Sequence, residues 1–197
     1  MIIRRFSGII LLAASLAACN QPQGADDAAG KAAAEQPLTA VTATLPAVYY
    51  DSLQVTMSAY YQLSAALVKA DTMGADMAAA ALKYHLDSLP VARTGLDSSR
   101  VAQLAGQASG ISAELEGMLI DKNGLDGRRL AFQMVSDQLY DLLRVTPLKN
   151  TAIFRQYCPM AFDNRGAHWL SDKTEIVNPY FGDEMLHCGS VTDTLRF

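Results

Sequence analysis

Apolar residues recur at spacings of three and four in four stretches of the chain, at about 49–70, 74–89, 99–122 and 127–145. In the first stretch Leu53, Met57, Tyr60 and Leu67 fall on one side of a helix. One-sided patterns of this kind predict four amphipathic helices. The short connections between them favour antiparallel neighbours. We therefore expect an all-α fold, an up-down-up-down four-helix bundle.

The helical periodicity ends near Leu148, and residues 148–197 are rich in aromatic residues and turn formers. We expect this C-terminal tail to be irregular, with a small β-hairpin between "AHWLS" (167–171) and "TEIVN" (174–178), joined by Asp172 and Lys173. A tail of this length without regular structure is uncommon in a compact domain unless it is functional or cross-linked. The tail is therefore where we look for chemistry.

The N-terminus has the pattern of an export signal. Arg4 and Arg5 precede an apolar run at 9–18 that is too short to span a bilayer. The run ends in "LAAC", which resembles a bacterial lipoprotein cleavage site and implies that Cys19 becomes the lipidated N-terminus. The alternative is an ordinary signal peptide followed by a chance cysteine. Under the lipoprotein interpretation the membrane is a partner through the lipid anchor, on the periplasmic face of the cell envelope. Asn20 then indicates the outer membrane.

The remaining chain divides in two. Residues 19–46 have the composition of a flexible tether, because few large apolar residues are present to offset the entropy of ordering. Residues 47–197 have the length of a single domain. Loss of residues 1–18 changes the net charge from −4 to −6, and this acidic balance argues against nucleic acid as a partner. Common enzyme motifs such as G-x-S-x-G and H-E-x-x-H are absent, so we expect a protein that is not an enzyme.

Two cysteines of the tail, Cys158 and Cys188, are each near a methionine, Met160 and Met185. Pro159 restricts Cys158 to extended conformations, and in an extended run residues i and i+2 face the same way. Met185 and Cys188 have the i, i+3 spacing of one helical turn. Two thiols and two thioethers that meet in this way form a soft donor set, which selects Cu(I) among the available metals.

Two alternatives stay open from the residues alone. The same two cysteines can form a structural disulfide in an oxidising periplasm, and the methionines would then only pack around it. His168 and His187 are close in sequence to the cysteines and are doubtful further ligands, which would make a mixed site.

The tail also resembles the C-terminal motif of an uncharacterised bacterial family, a domain of unknown function abundant in Bacteroidetes. The resemblance covers the region after the tether, and its specific portion is "YCPMA", "GAHWLS", "NPYFG" and "MLHCG", in that order. Members occur as lipoproteins and as fusions to periplasmic adaptor subunits of copper and heavy-metal efflux pumps. The resemblance implies Cys158, Met160, Met185 and Cys188 as metal ligands. It also implies a role in metal buffering or in handover to efflux pump components.

Overall fold

The computed structural model describes residues 44–121, 123–146 and 148–197. The predicted signal peptide, Cys19 and the tether before residue 44 lie outside the described residues, so these expectations stay predictions. Within the described part of the chain, no helix is both long and apolar enough to cross a membrane.

Four long helices form where the apolar spacing predicts them. They are α1 (Ala47–Val68), α2 (Thr72–Asp87), α3 (Ser98–Ile120) and α4 (Gly124–Val145). Asp71 caps α2 by accepting a hydrogen bond from the Gly74 N–H at 2.9 Å. Asp97 caps α3 in the same way. The capping carboxylates explain why these two helices begin where they do.

The helices pack in chain order, α1 against α2, α2 against α3 and α3 against α4. Their inner faces are almost wholly apolar, and the residues that the sequence pattern places inside are fully buried, among them Leu53, Leu82, Leu115 and Leu139. A bidentate ion pair between Arg128 and Asp76, with N–O distances of 2.7 Å, ties α4 to α2. The region is thus a helical core, while the up-down-up-down direction of its helices stays a prediction.

The C-terminal tail is not irregular. It forms a three-stranded antiparallel sheet in the order β2-β1-β3, from β1 (Ala152–Cys158), β2 (Ala167–Ser171) and β3 (Ser190–Arg196). The all-α expectation is therefore wrong for the tail. The described part of the chain as a whole is mostly helical, with a small antiparallel sheet at its C-terminal end.

The predicted hairpin is also wrong in its pairing. "AHWLS" does form β2, but β2 pairs with β1, and no strand forms over 174–178. The buried amide of Gln156 donates to the carbonyls of Lys173 and Glu175 at 2.8 and 2.9 Å, so a side chain satisfies carbonyl groups that a hairpin would use.

The sheet is held against the helices by a central tyrosine. The Tyr60 hydroxyl on α1 accepts a hydrogen bond from the Leu170 N–H of β2 at 2.9 Å and shares another with Ser136 on α4 at 2.7 Å. Its ring stacks on Phe132, with centroids 5.1 Å apart. The tail therefore shares one hydrophobic core with the helices.

Candidate sulfur site and the adjoining cleft

The two tail cysteines meet at the end of β1. Cys158 is the last residue of the strand and is fully buried. Cys188 lies just before β3 and is half-buried. Both are free thiols, and their Sγ atoms are 3.0 Å apart. The structure thus brings together two residues that are separated by 30 positions in the chain.

A buried asparagine holds the Cys188 segment in place. The Asn178 Nδ2 donates to the Cys188 carbonyl at 2.9 Å, and its Oδ1 accepts from the Tyr180 N–H at 2.8 Å. The next residue, Gly189, has a φ of 147°, and a Cβ there would lie 2.8 Å from the Tyr157 carbonyl oxygen and 2.9 Å from the Trp169 ring. A glycine is therefore needed for Cys188 to approach the sheet this closely.

Cys158 affects the ionisation of Cys188. The hydrogen bond with Cys158 raises the pKa of the Cys188 thiol above its ordinary value, and burial raises it further. A hydrogen bond from the Met160 backbone acts in the opposite direction and is outweighed. The thiolate is the form that binds metals, so a metal that binds here has to displace protons.

Met160 lies beside the thiols, but not in the way that the spacing predicts. Its backbone has φ −90° and ψ −11°, so the extended run ends at Pro159 and the i, i+2 argument for shared direction fails. Met160 is 45% exposed, whereas Cys158 is fully buried. The Met160 backbone nevertheless hydrogen-bonds Cys188, so this methionine is adjacent to the thiol pair from the outer side.

Met185 belongs to the same turn as Cys188. The Cys188 N–H donates to the Met185 carbonyl at 3.0 Å, which closes an i, i+3 turn. The helical turn itself lies before it, a 3₁₀ segment at Gly182–Glu184. The predicted spacing is thus realised in a turn and not in a helix.

The two doubtful histidines have other contacts. His168 pairs with Tyr157 across β1 and β2, while Cys158 pairs with Ala167, so strand alternation places His168 on the sheet face opposite Cys158. Its Nδ1 lies 4.0 Å from Asp137 Oδ1. His187 is exposed, and its Nδ1 lies 2.8 Å from the Ile176 carbonyl. The structure brings neither ring to the thiols.

A cleft of about 810 Å³ is lined by residues that follow Cys158 and precede Cys188 in the chain, although neither cysteine lines it. Met160 and Met185 both line it, together with the aromatic rings of Phe162, Tyr180 and Phe181. Its polar lining includes four carboxylates and two guanidinium groups, from Asp121, Asp126, Asp163, Glu184, Arg129 and Arg165. The cleft therefore combines exposed thioethers with an excess of negative charge.

Arg129 connects the cleft to the fold. Its Nε donates to the Pro179 carbonyl at 3.0 Å, and its terminal nitrogen lies 3.5 Å from the Leu67 carbonyl at the end of α1. Burial lowers the pKa of this guanidinium. Gly182 packs against the same helix end, since a Cβ there would clash with the Val68 carbonyl oxygen. The cleft wall is thus fixed to the helices by backbone contacts.

One wall of the cleft is strained. Phe162, Asp163 and Asn164 have φ values of 52°, 57° and 65°, which are left-handed conformations that non-glycine residues seldom adopt. Such strain costs on the order of 1 kcal/mol per residue and is concentrated at functional sites. It turns the chain sharply after Met160 and places Phe162 edge-on against Tyr180, with ring centroids 5.4 Å apart.

Several of these residues carry no signal in a single sequence. In the sequence, Asn178 has the pattern of a turn residue before a proline. Its hydrogen bonds to Cys188 and Tyr180 depend on where the Cys188 segment folds back. The carboxylates of the cleft come from the α3–α4 connection, α4 and the tail, so only the folded chain collects them. No three His, Cys, Asp or Glu side chains of the described residues come together as a metal cluster.

Comparison with known families gives a match for the helical part of the chain. Residues 56–151 match the model of a family described as a protein of unknown function, DUF3347. The match runs from within α1 to the start of the tail, so Cys158, Cys188 and their methionines lie beyond it. No curated protein and no solved structure matches the chain. The chain therefore contains a DUF3347 domain at residues 56–151, consistent with the resemblance to an uncharacterised family.

Proposed function

We propose that this protein binds a soft metal ion, Cu(I), through Cys158 and Cys188 with Met160 and Met185 as supporting ligands. It would act outside the cytoplasm as a lipoprotein anchored through Cys19, at the periplasmic face of the outer membrane. There it would buffer copper or hand it to heavy-metal efflux components, without catalysing a reaction.

One observation carries the proposal: two free thiols lie 3.0 Å apart, and the backbones of Met160 and Met185 both hydrogen-bond Cys188. Thiolates and neutral thioethers are soft donors and favour Cu(I) over harder ions. Neutral ligands also suit release, because they add no charge to the complex. Trp169 and Ala167 are buried around Cys158, and such a dry surrounding protects a thiolate–metal bond from water.

The thiol geometry fits a metal with little movement. Metal–sulfur bonds of about 2.3 Å at a tetrahedral angle set two sulfurs roughly 3.8 Å apart. The Sγ–Sγ distance of 3.0 Å would therefore have to increase by roughly 0.8 Å. Cys188 lies on a turn, where such a shift disturbs no strand pairing. The sheet holds Cys158, so Cys188 is the thiol that would move.

A second function has support from the same distance. A disulfide needs the sulfurs at about 2.05 Å, also roughly 1 Å from the observed spacing. Such a bond would lock the tail onto the sheet and make the domain a structural or interaction module. The position of Met160 favours the metal, since its backbone contacts Cys188 and its side chain lines the adjoining cleft.

The experiment is a thiol count followed by a copper titration. The part of the chain from residue 44 to residue 197 is purified reduced and without oxygen, and Cu(I) is titrated against a coloured chelator. We expect one Cu(I) per chain, and loss of this binding in a Cys158→Ala, Cys188→Ser variant. Equal binding by both proteins would overturn the metal proposal. A wild-type protein that has no free thiols in periplasm-like buffer would favour the disulfide.

The pH dependence provides a second measurement. Because the pKa of Cys188 is raised, its proton is present at neutral pH and has to leave on binding. The apparent Cu(I) affinity should therefore fall as the pH is lowered, and a methionine-only site would show no such trend.

The proposal includes the up-down arrangement of the helices. The connections between α1 and α2 and between α3 and α4 span only residues 69–71 and 121–123. Connections this short suit antiparallel neighbours. Cross-linking of cysteines placed at opposite ends of adjacent helices would test the direction.

A further inference from the structure

We propose that the cleft is the route by which the metal enters and leaves, and that Met160 and Met185 are its exchange ligands. This inference rests on the proposed function, since it assigns an order of events to the same sulfur site. The order is thioether first, then Cys188, then Cys158.

Burial sets this order. Cys158 is fully buried and Cys188 half-buried, whereas Met160 is 45% exposed. An incoming ion therefore meets the thioether of Met160 before it can reach the thiol of Cys158. Met160 also hydrogen-bonds Cys188 through its backbone, and the Met185 carbonyl accepts from the Cys188 N–H, so both methionine residues are direct neighbours of Cys188.

Met160 differs from the core methionines in being exposed, and from the exposed Met73, Met77 and Met134 in lining the cleft. Met57 and Met118 are 2% and 0% exposed within the helical core. Met160 and Met185 instead line a cleft whose wall is strained at 162–164. The left-handed turn at 162–164 follows Met160 closely and so helps to hold the Met160 side chain in the cleft wall. This role would explain why a strained backbone is kept there.

The charge of the cleft favours a cation. None of its four carboxylates, Asp121, Asp126, Asp163 and Glu184, forms a salt bridge among the residues that the structure describes. The two guanidinium groups donate to backbone carbonyls, Arg129 to Pro179 and Arg165 to Phe162. A cleft of one dominant sign raises the local concentration of counter-ions and their association rate. The carboxylates attract cations in general, and the thioethers select the soft ones.

The test compares the rate of exchange with the affinity. Cu(I)-loaded protein is mixed with excess coloured chelator under anaerobic conditions, and the transfer is followed by stopped flow. Met160→Leu, Met185→Leu should slow the transfer about tenfold, the size of effect that a supporting group has at metal sites. Met73→Leu is the matched control, because Met73 is 73% exposed on α2, does not line the cleft and should leave the rate unchanged.

Charge is tested separately. Asp163→Asn, Glu184→Gln should lower the rate of uptake from a cationic Cu(I) complex at low salt, and the difference should vanish at high salt. Asn tolerates the left-handed backbone at position 163, so this variant keeps the turn. Asp51→Asn, an exposed residue outside the cleft, is the control.

The outcomes separate this inference from the proposed function. If wild-type protein binds Cu(I) but the methionine variant exchanges it at the wild-type rate, the route is wrong and the thiol site stands. If wild-type protein binds no Cu(I), the proposed function fails and this inference fails with it. Slower exchange in the methionine variant, with the Met73→Leu rate unchanged, supports the inference.

Discussion

The helical region and the C-terminal tail are stabilised in different ways. The helices bury a continuous set of leucines, alanines and aromatic rings, in which many similar contacts share the stabilisation. The tail depends on single groups: one asparagine, one buried glutamine and glycines at points of close approach. An apolar core tolerates substitutions that keep its volume. A polar bridge does not, because it loses a partner when either atom changes.

The largest expected effect is at Gly182 in the tail. Gly182→Ala would place a Cβ against the Val68 carbonyl oxygen at a φ of 57°. Backbone strain and a clash with backbone together should lower the free energy of unfolding by about 3 kcal/mol or more. Urea denaturation measures this loss. A loss below about 1 kcal/mol would show that the tail yields easily and that the contrast with the helices is weak.

The next comparison uses two substitutions that conserve volume. Asn178→Asp removes the donor to the Cys188 carbonyl and puts a carboxylate oxygen in its place, in a fully buried position. We expect a loss of about 2–3 kcal/mol at neutral pH, with weaker thiol pairing. Leu115→Met in the helical core should cost less than about 1.5 kcal/mol. Similar losses for both variants would contradict the comparison.

Glycine has opposite effects on stability in the two regions, and these effects are smaller. Gly106 is exposed within α3, and a Cβ there meets nothing within 4 Å, so Gly106→Ala should stabilise the protein by about 0.5–1 kcal/mol. In the tail, a substitution to glycine should stabilise the protein. Asp163 has a φ of 57° and is exposed, so Asp163→Gly should raise the unfolding free energy by up to about 1 kcal/mol. Thermal unfolding of the two variants provides the measurement, and a destabilised Asp163→Gly protein would show that its side chain supports the turn.

The smallest effect is a pH dependence at the sheet. Burial lowers the pKa of His168, and the nearby Arg155 lowers it further. The unfolded chain therefore binds a proton before the folded protein does, so stability should fall as the pH drops below about 6.5. His168→Gln should flatten this part of the stability curve. An unchanged curve would mean that Asp137, at 4.0 Å, compensates for the burial.

The sequence predicts the helical region well because its signal is local. Three- and four-residue spacing places each leucine on a face, and the predicted helix starts near 74 and 99 lie within two residues of the observed starts of α2 and α3. The glycines of α3 show the limit, since the pattern alone does not distinguish close packing from open space. At Gly106 and Gly117 the structure shows open space.

The candidate site is predictable only in part. That Cys158 and Cys188 meet follows from the small number of cysteines in the chain, and the structure places their sulfurs 3.0 Å apart. The direction of Met160 does not follow, because the helical backbone angles of Met160 itself end the alternation of the extended strand. That His168 lies on the sheet face opposite Cys158 follows only from the strand register, which local spacing does not provide.

By itself, the sequence determines the four helices, the apolar faces that they bury and the identity of the candidate sulfur ligands. Only the tertiary structure decides that the tail is a three-stranded sheet and that β2 pairs with β1. It also decides that two methionines and four carboxylates share one cleft. The physical reason is range: helix periodicity and capping act within a few residues. The sheet, the Asn178 bridge and the cleft depend on groups that come together only when the chain folds.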